Sequence, residues 1–207
     1  MAVTYGWFSS WDDFVMVSPS SFRHMSWNSS SYGLGIETGT TDDAGLQAVL
    51  GAVWEAAGVE GCFSDGGREP EEQEPVACTV AALAEFGRLH GRARMPAGQW
   101  MACSCTVVRG GGGTDWLNFD IPLSALDLAG VAYWDGRPFF RSAVMDDWLA
   151  AIGIASFKQA RFSLGVIGWE VSGMADAVTV AGEMPQKRGM GYLVPRDGNL
   201  HYGAAND

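Results

Sequence analysis

The sequence predicts an α+β fold, a mainly antiparallel sheet with about three helices in a single compact domain. Three observations predict it. Strand-like segments follow one another through short turns, as around the four glycines at 110–113 and around Arg196-Asp197-Gly198-Asn199. Helical periodicity is confined to a few stretches that do not alternate with the strands as βαβ units would. Finally, 207 residues with 47% hydrophobic side chains supply one sizeable core, and a charged fraction of 18% excludes a chain disordered throughout. Residues 1–207 therefore read as one α+β domain without internal repeats.

The elements follow in order. Residues 3–8 and 14–17 alternate large and small side chains around Asp12 and Asp13, which predicts two short strands and a turn. A serine-rich loop, 18–31, leads to a strand at 32–37. The clearest helix begins after Thr40 and Thr41, with Asp42 and Asp43 at the positive end of its dipole. Leu46, Val49, Leu50, Val53, Trp54 and Ala57 share one face, and Gly58 ends it. The sequence SDGGREPEEQEP at 64–75 predicts an exposed, mobile acidic loop. A second helix is expected over 79–89, followed by a basic stretch with Arg88, Arg92 and Arg94.

Residues 99–109 and 114–121 form the strongest hairpin signal. Alternation assigns Met101, Cys103, Cys105, Val107, Leu117, Phe119 and Ile121 to a packed face, and Ser104, Thr106, Asn118 and Asp120 to a polar one. Pro122 suits the start of a short helical turn reaching Leu128, and Asp135-Gly136 marks a turn before 138–141. A third helix is predicted over 144–154, with Val144, Met145, Trp148, Leu149 and Ile152 facing inward. Residues 161–171 read as a central strand, and 190–202 as a closing hairpin.

Charge narrows the function. The chain carries a net −11, and residues 1–76 hold twelve acidic side chains against two basic ones. Such a surface repels phosphate backbones and anionic headgroups, so neither nucleic acid nor membrane is expected as a partner, whereas a basic protein is attracted. No apolar run approaches the roughly 18 residues of a membrane span. Residues 1–8 lack the pattern of a secretion signal, and four cysteines in 207 residues form no dense disulfide framework. A reducing, cytoplasmic setting is the expectation, and the excess of arginine over lysine suggests a GC-rich bacterial coding sequence.

Motifs for chemistry are sparse. The 110–113 glycines precede a strand rather than a helix and no lysine follows, so a hairpin turn is favoured over a phosphate loop. Cys103 and Cys105, with His90 nearby, fall on a packed strand face without metal-ligand spacing, and His24, His90 and His201 form no ligand motif. No metal and no cofactor is expected. No Gly-x-Ser-x-Gly elbow occurs. The remaining catalytic candidates are two strand-borne carboxylates, Asp120 and Glu170; Glu170 shares a predicted face with Phe162, Leu164 and Val166, where an ionised carboxylate needs a partner or a raised pKa, and the plainer alternatives are an ion pair with Arg141 or Arg161 or simple exposure at the strand end.

Nine tryptophans are many for this length. Trp54, Trp148 and Trp169 read as core. Trp7, Trp11 and Trp27 sit in the acidic first third and, with Asp12, Asp13, Glu69, Glu71, Glu72 and Glu74, make up the candidate partner-binding surface. The leading expectation is an acidic module that docks a basic protein, as an immunity or inhibitor protein does. The alternatives are a hydrolase without a short motif that uses Asp120 and Glu170, and a small-molecule or carbohydrate binder that uses exposed tryptophans.

Overall fold

The computed structural model describes residues 17–110, 113–132, 134–136 and 139–207. Trp7, Trp11, Asp12 and Asp13, and the strands expected over 3–8 and 14–17, lie outside the described residues save for Val17.

Eight strands form one sheet and every pairing in it is antiparallel. They are β1 (Ser31–Glu37), β2 (Glu60–Phe63), β3 (Arg88–Arg94), β4 (Trp100–Val108), β5 (Trp116–Pro122), β8 (Leu164–Trp169), β9 (Gly191–Arg196) and β10 (Asn199–Gly203). Their order is β10-β9-β8-β1-β5-β4-β3-β2, so β1 lies mid-sheet between β8 and β5. Two short strands, β6 (Trp134–Gly136) and β7 (Phe139–Arg141), pair separately. The helices are α1 (Asp43–Ala56), α2 (Val80–Phe86), α3 (Leu123–Leu128), α4 (Ala143–Gln159) and the single turn α5 (Ala177–Val180). The α+β class, the antiparallel sheet and the single domain follow the sequence reading. No helix among the described residues is long and apolar enough to cross a membrane.

Local chemistry sets the element ends. Asp42 caps α1, its carboxylate accepting from the Gly45 NH at 2.6 Å, and Thr79 caps α2 through the Ala82 NH. α2 stops three residues before the predicted end because Gly87 adopts a left-handed conformation (φ 76°), and the basic stretch that follows is strand β3. α4 runs five residues further than predicted. Val144 on it is exposed rather than inward, while Met145, Leu149 and Ile152 are buried.

α1 and α4 pack together on one face of the sheet, over Tyr32, Leu34, Ile36, Leu117, Phe119 and Ile121, with α2 and α3 beside them. The opposite face has two covers. Residues 17–30 lie over β2 and β3, where Phe22 meets Phe63 and His90 edge-on or tilted at 5.9 Å. Residues 171–190 lie over β8 and β9, where Leu164, Val166, Tyr192 and Val194 form a second apolar cluster with Trp116. Buried Glu37 fastens that cover by accepting from the Ala177 NH at 2.6 Å.

The acidic loop is exposed but ordered by its own contacts. Pro70–Glu72 forms a 3₁₀ turn, and Gln73 donates to the carbonyls of Asp65 and Arg68. Glu69 turns inward: it accepts from Ser21 Oγ at 2.5 Å, from the Phe22 NH at 3.0 Å and from the Arg23 NH at 3.2 Å, with Arg92 alongside. A carboxylate receiving three donors holds the first cover to the rest of the domain.

Candidate functional site

The start of β1 places two neighbouring side chains on opposite faces. Tyr32 points toward the helices, where it is almost wholly buried, and meets Asp146 of α4. Its hydroxyl donates to Asp146 Oδ1 at 2.6 Å and accepts from the Ser142 NH at 3.2 Å. Burial pushes the Asp146 carboxyl above the usual carboxylate range; the tyrosine bond and the Arg141 guanidinium oppose that shift. Burial, reinforced by the Asp146 charge, pushes the Tyr32 hydroxyl far above its ordinary value.

This pair borders a cavity of about 180 Å³, whose other walls include Arg141, Trp169, Met174 and Met190. The lining is mainly apolar, and the polar groups gather on the Tyr32, Arg141 and Asp146 side. A second, more open cavity of about 310 Å³ shares Arg141 and Asp146 and adds Asp147 and Tyr202. The buried Tyr202 hydroxyl has no partner among the described residues, and burial raises its pKa to about 12. Two cavities thus meet at one buried carboxyl and one arginine.

On the other face, Ser31 stands between the two sequence-predicted acids. Its hydroxyl donates to Asp120 Oδ1 at 3.1 Å, and its carbonyl accepts from the Glu170 NH at 3.2 Å. Asp120 lies over Gly33, where an added Cβ would come within 2.6 Å of both Asp120 Oδ1 and the Phe119 carbonyl. Burial raises the Asp120 carboxyl to about 6; Ser31 and Arg88 lower it and Glu170 adds to the rise. Glu170 departs from the expected strand position. It follows β8 with a positive φ of 47° and is exposed, which removes the need for a buried partner. The two acids are brought to either side of one serine, yet neither borders the cavities above.

The remaining candidates fall elsewhere. Trp27 is half-buried; its indole NH donates to the carbonyls of Phe22 and Gly66, and its ring meets His90 at 4.4 Å. Glu71 pairs with Arg92 and Glu72 with Arg23, while Glu74 is exposed at the loop's end. His90 is buried, and desolvation together with Arg88 lowers its pKa to about 4. No cluster of three or more metal-ligating side chains occurs among the described residues.

Sequence reading missed Tyr32, Asp146 and Arg141. A signal for Asp146 was present: it lies three, four and seven residues before Leu149, Ala150 and Gly153, all buried on α4, so helical spacing sets it on the packed face. Compared with protein-family models, curated proteins and solved structures, the chain matches none.

Proposed function

We propose that this chain binds a small aromatic molecule carrying one hydrogen-bonding group, with the ring in the Trp169–Met174–Met190 cavity and the polar group toward Tyr32, Asp146 and Arg141. The observation that carries this reading is the cavity itself, apolar along most of its wall and polar at one end. Its volume of about 180 Å³ suits a single ring, since cavities near 150 Å³ accept benzene. Methionine sulfur favours contact with ring edges, and a carboxyl already engaged by Tyr32 and balanced by the Arg141 charge favours a neutral head over a fully charged one.

Titration with phenol, aniline and benzoate, followed by tryptophan fluorescence and calorimetry, tests it. Saturable quenching is expected with phenol or aniline, and Trp169→Phe should remove most of the quenching while calorimetric binding persists. Absence of calorimetric heat for all three up to about 10 mM, a ceiling near −2.7 kcal/mol, refutes the reading.

A second reading retains the basic protein partner. It is favoured by a polar depression of about 590 Å³ on the acidic loop, lined by Asp65, Glu71, Glu72 and Glu74 with Arg68. Glu69 has a different part, being turned inward as a fastener. A lysine- and arginine-rich peptide should bind at low salt and be lost at high salt, and Glu71→Lys with Glu74→Lys should weaken it by about tenfold or more. Equal binding by wild type and variant excludes this surface.

A further inference from the structure

The second cavity adjoins the first at Asp146 and carries a different charge. Around the first, the Asp146 carboxyl is balanced by the Arg141 guanidinium. Around the second, Asp147 is added without a further cation, so the wall holds two carboxyl groups against one guanidinium. The rest of that wall is Tyr202 and three alanines. Three oxygen-bearing groups there are short of partners among the described residues. Asp146 is only 6% exposed and is engaged through Oδ1 alone, so its Oδ2 accepts no hydrogen bond from the protein. The Tyr202 hydroxyl is buried and unpartnered. Asp147, exposed on α4, enters none of the ion pairs. Arg141, by contrast, already donates through Nη1 to the Asp207 carbonyl at 2.9 Å.

Building on the aromatic ligand of the first cavity, we propose that the second cavity is a cation subsite, which narrows that ligand to an arylalkylamine. Its ring lies in the Trp169–Met174–Met190 cavity, a neutral hydroxyl meets Tyr32 and Arg141 at the junction, and a primary ammonium enters among Asp146, Asp147 and Tyr202. An ammonium carries three N–H donors and no acceptor. The acceptors left open match it in number: Asp146 Oδ2, the Asp147 carboxylate and the Tyr202 hydroxyl oxygen.

Other tails fit less well. An anion would face two carboxyl groups, and the guanidinium that offsets them has a donor committed to the Asp207 carbonyl. A neutral apolar tail would leave the Asp146 oxygen and the Tyr202 hydroxyl without partners, which is costly once water is displaced. A cation beside Asp146 stabilises the ionised form that burial disfavours. The net charge of −11 adds a field of the same sign.

The test uses three compounds that share the ring and the neighbouring hydroxyl and differ only in the third substituent: 2-amino-1-phenylethanol, 1-phenylethanol and mandelate. Calorimetry on the intact protein should show the amine binding about tenfold or more tightly than 1-phenylethanol, with mandelate weaker than both. The advantage of the amine should shrink at high salt. Asp147→Asn alters an exposed side chain and spares the packed face of α4; it should cut the ratio of amine to alcohol affinity to about threefold or less. Equal affinity for the amine and the alcohol, with phenol still bound, overturns the cation subsite and leaves the aromatic-ligand reading standing. Failure of every compound, phenol included, overturns both. Mandelate binding more tightly than the amine, or an unchanged ratio in Asp147→Asn, also overturns the subsite.

Discussion

Tyr32→Phe is expected to lower stability by about 2–4 kcal/mol and to weaken phenol binding at least tenfold. The change removes one oxygen that satisfies two buried groups. Without it, the Ser142 NH loses its acceptor and Asp146, whose carboxyl lies 2.6 Å from that hydroxyl, loses a donor. An unsatisfied buried polar group costs about 1–3 kcal/mol, and two are created while the apolar ring stays in place. Asp146→Asn is the contrasting variant, because an amide oxygen still accepts from Tyr32; its stability loss should be about 1 kcal/mol. If the cavity binds as proposed, Asp146→Asn stays folded and still loses affinity, as its carboxyl borders both cavities. Urea unfolding and calorimetry on the two variants separate the effects. Unchanged phenol affinity in both places the ligand elsewhere.

Much of the fold was legible because alternation and helical spacing are physical consequences of one buried face. The hairpin of β4 and β5 shows this: Met101, Cys103, Cys105, Leu117, Phe119 and Ile121 are all fully buried, and the alternate positions carry Ser104, Thr106, Asn118 and Asp120. β3 was missed although it alternates equally well. Its inward positions are Leu89, Gly91 and Ala93, and small residues carry little hydrophobic signal. Gly91 is needed because a Cβ there would come within 2.3 Å of Val59 and 2.9 Å of Trp54. Three arginines on the outward positions then read as a charged connector, whereas Arg92 in fact holds Glu69 and Glu71.

The site was less legible, for reasons of distance along the chain. Tyr32 and Asp146 are separated by 114 positions and meet only because β1 is central and α4 crosses it. Nothing local to either residue encodes that crossing. Asp120 and Glu170 were singled out as carboxylates on strands, and the antiparallel register of β5, β1 and β8 does bring them to a common serine. Glu170 takes the exposed position at the strand end that the sequence allowed as an alternative, and the positive φ that turns it outward is the part composition does not reveal. The acidic loop illustrates a further limit. Its composition predicted exposure correctly, but composition says nothing of Ser21, Arg23 and Arg92, the distant groups that organise it.

Opposed proton linkage on the sheet face should make two variants respond to pH in opposite directions. Asp120 has its pKa raised to about 6 from the ordinary 3.8, chiefly by burial. The folded state therefore binds this proton more tightly than the unfolded one, and its contribution to stability falls as pH rises from about 4 to about 6. His90 has its pKa lowered to about 4 from 6.5, again chiefly by burial, so the unfolded state takes up the proton first and the contribution of His90 rises over about 4 to 6.5. Each slope approaches about 1.4 kcal/mol per pH unit within its window. In the wild type they largely cancel.

Asp120→Asn removes the falling contribution, so its stability should climb by about 1–3 kcal/mol between pH 4 and 6.5 and exceed the wild-type value at pH 7. His90→Gln removes the rising contribution, and its stability should decline by a similar amount between pH 4 and 6. The groups that act on these two are Arg88, which affects both, together with Ser31 and Glu170 for Asp120 and Asp65 for His90. Neither titrating residue is a main influence on the other, so the double variant should return to the flat wild-type profile. Urea unfolding at half-unit pH steps provides the measurement. Parallel profiles for the two single variants would show that these groups titrate in the folded protein as they do in the unfolded chain.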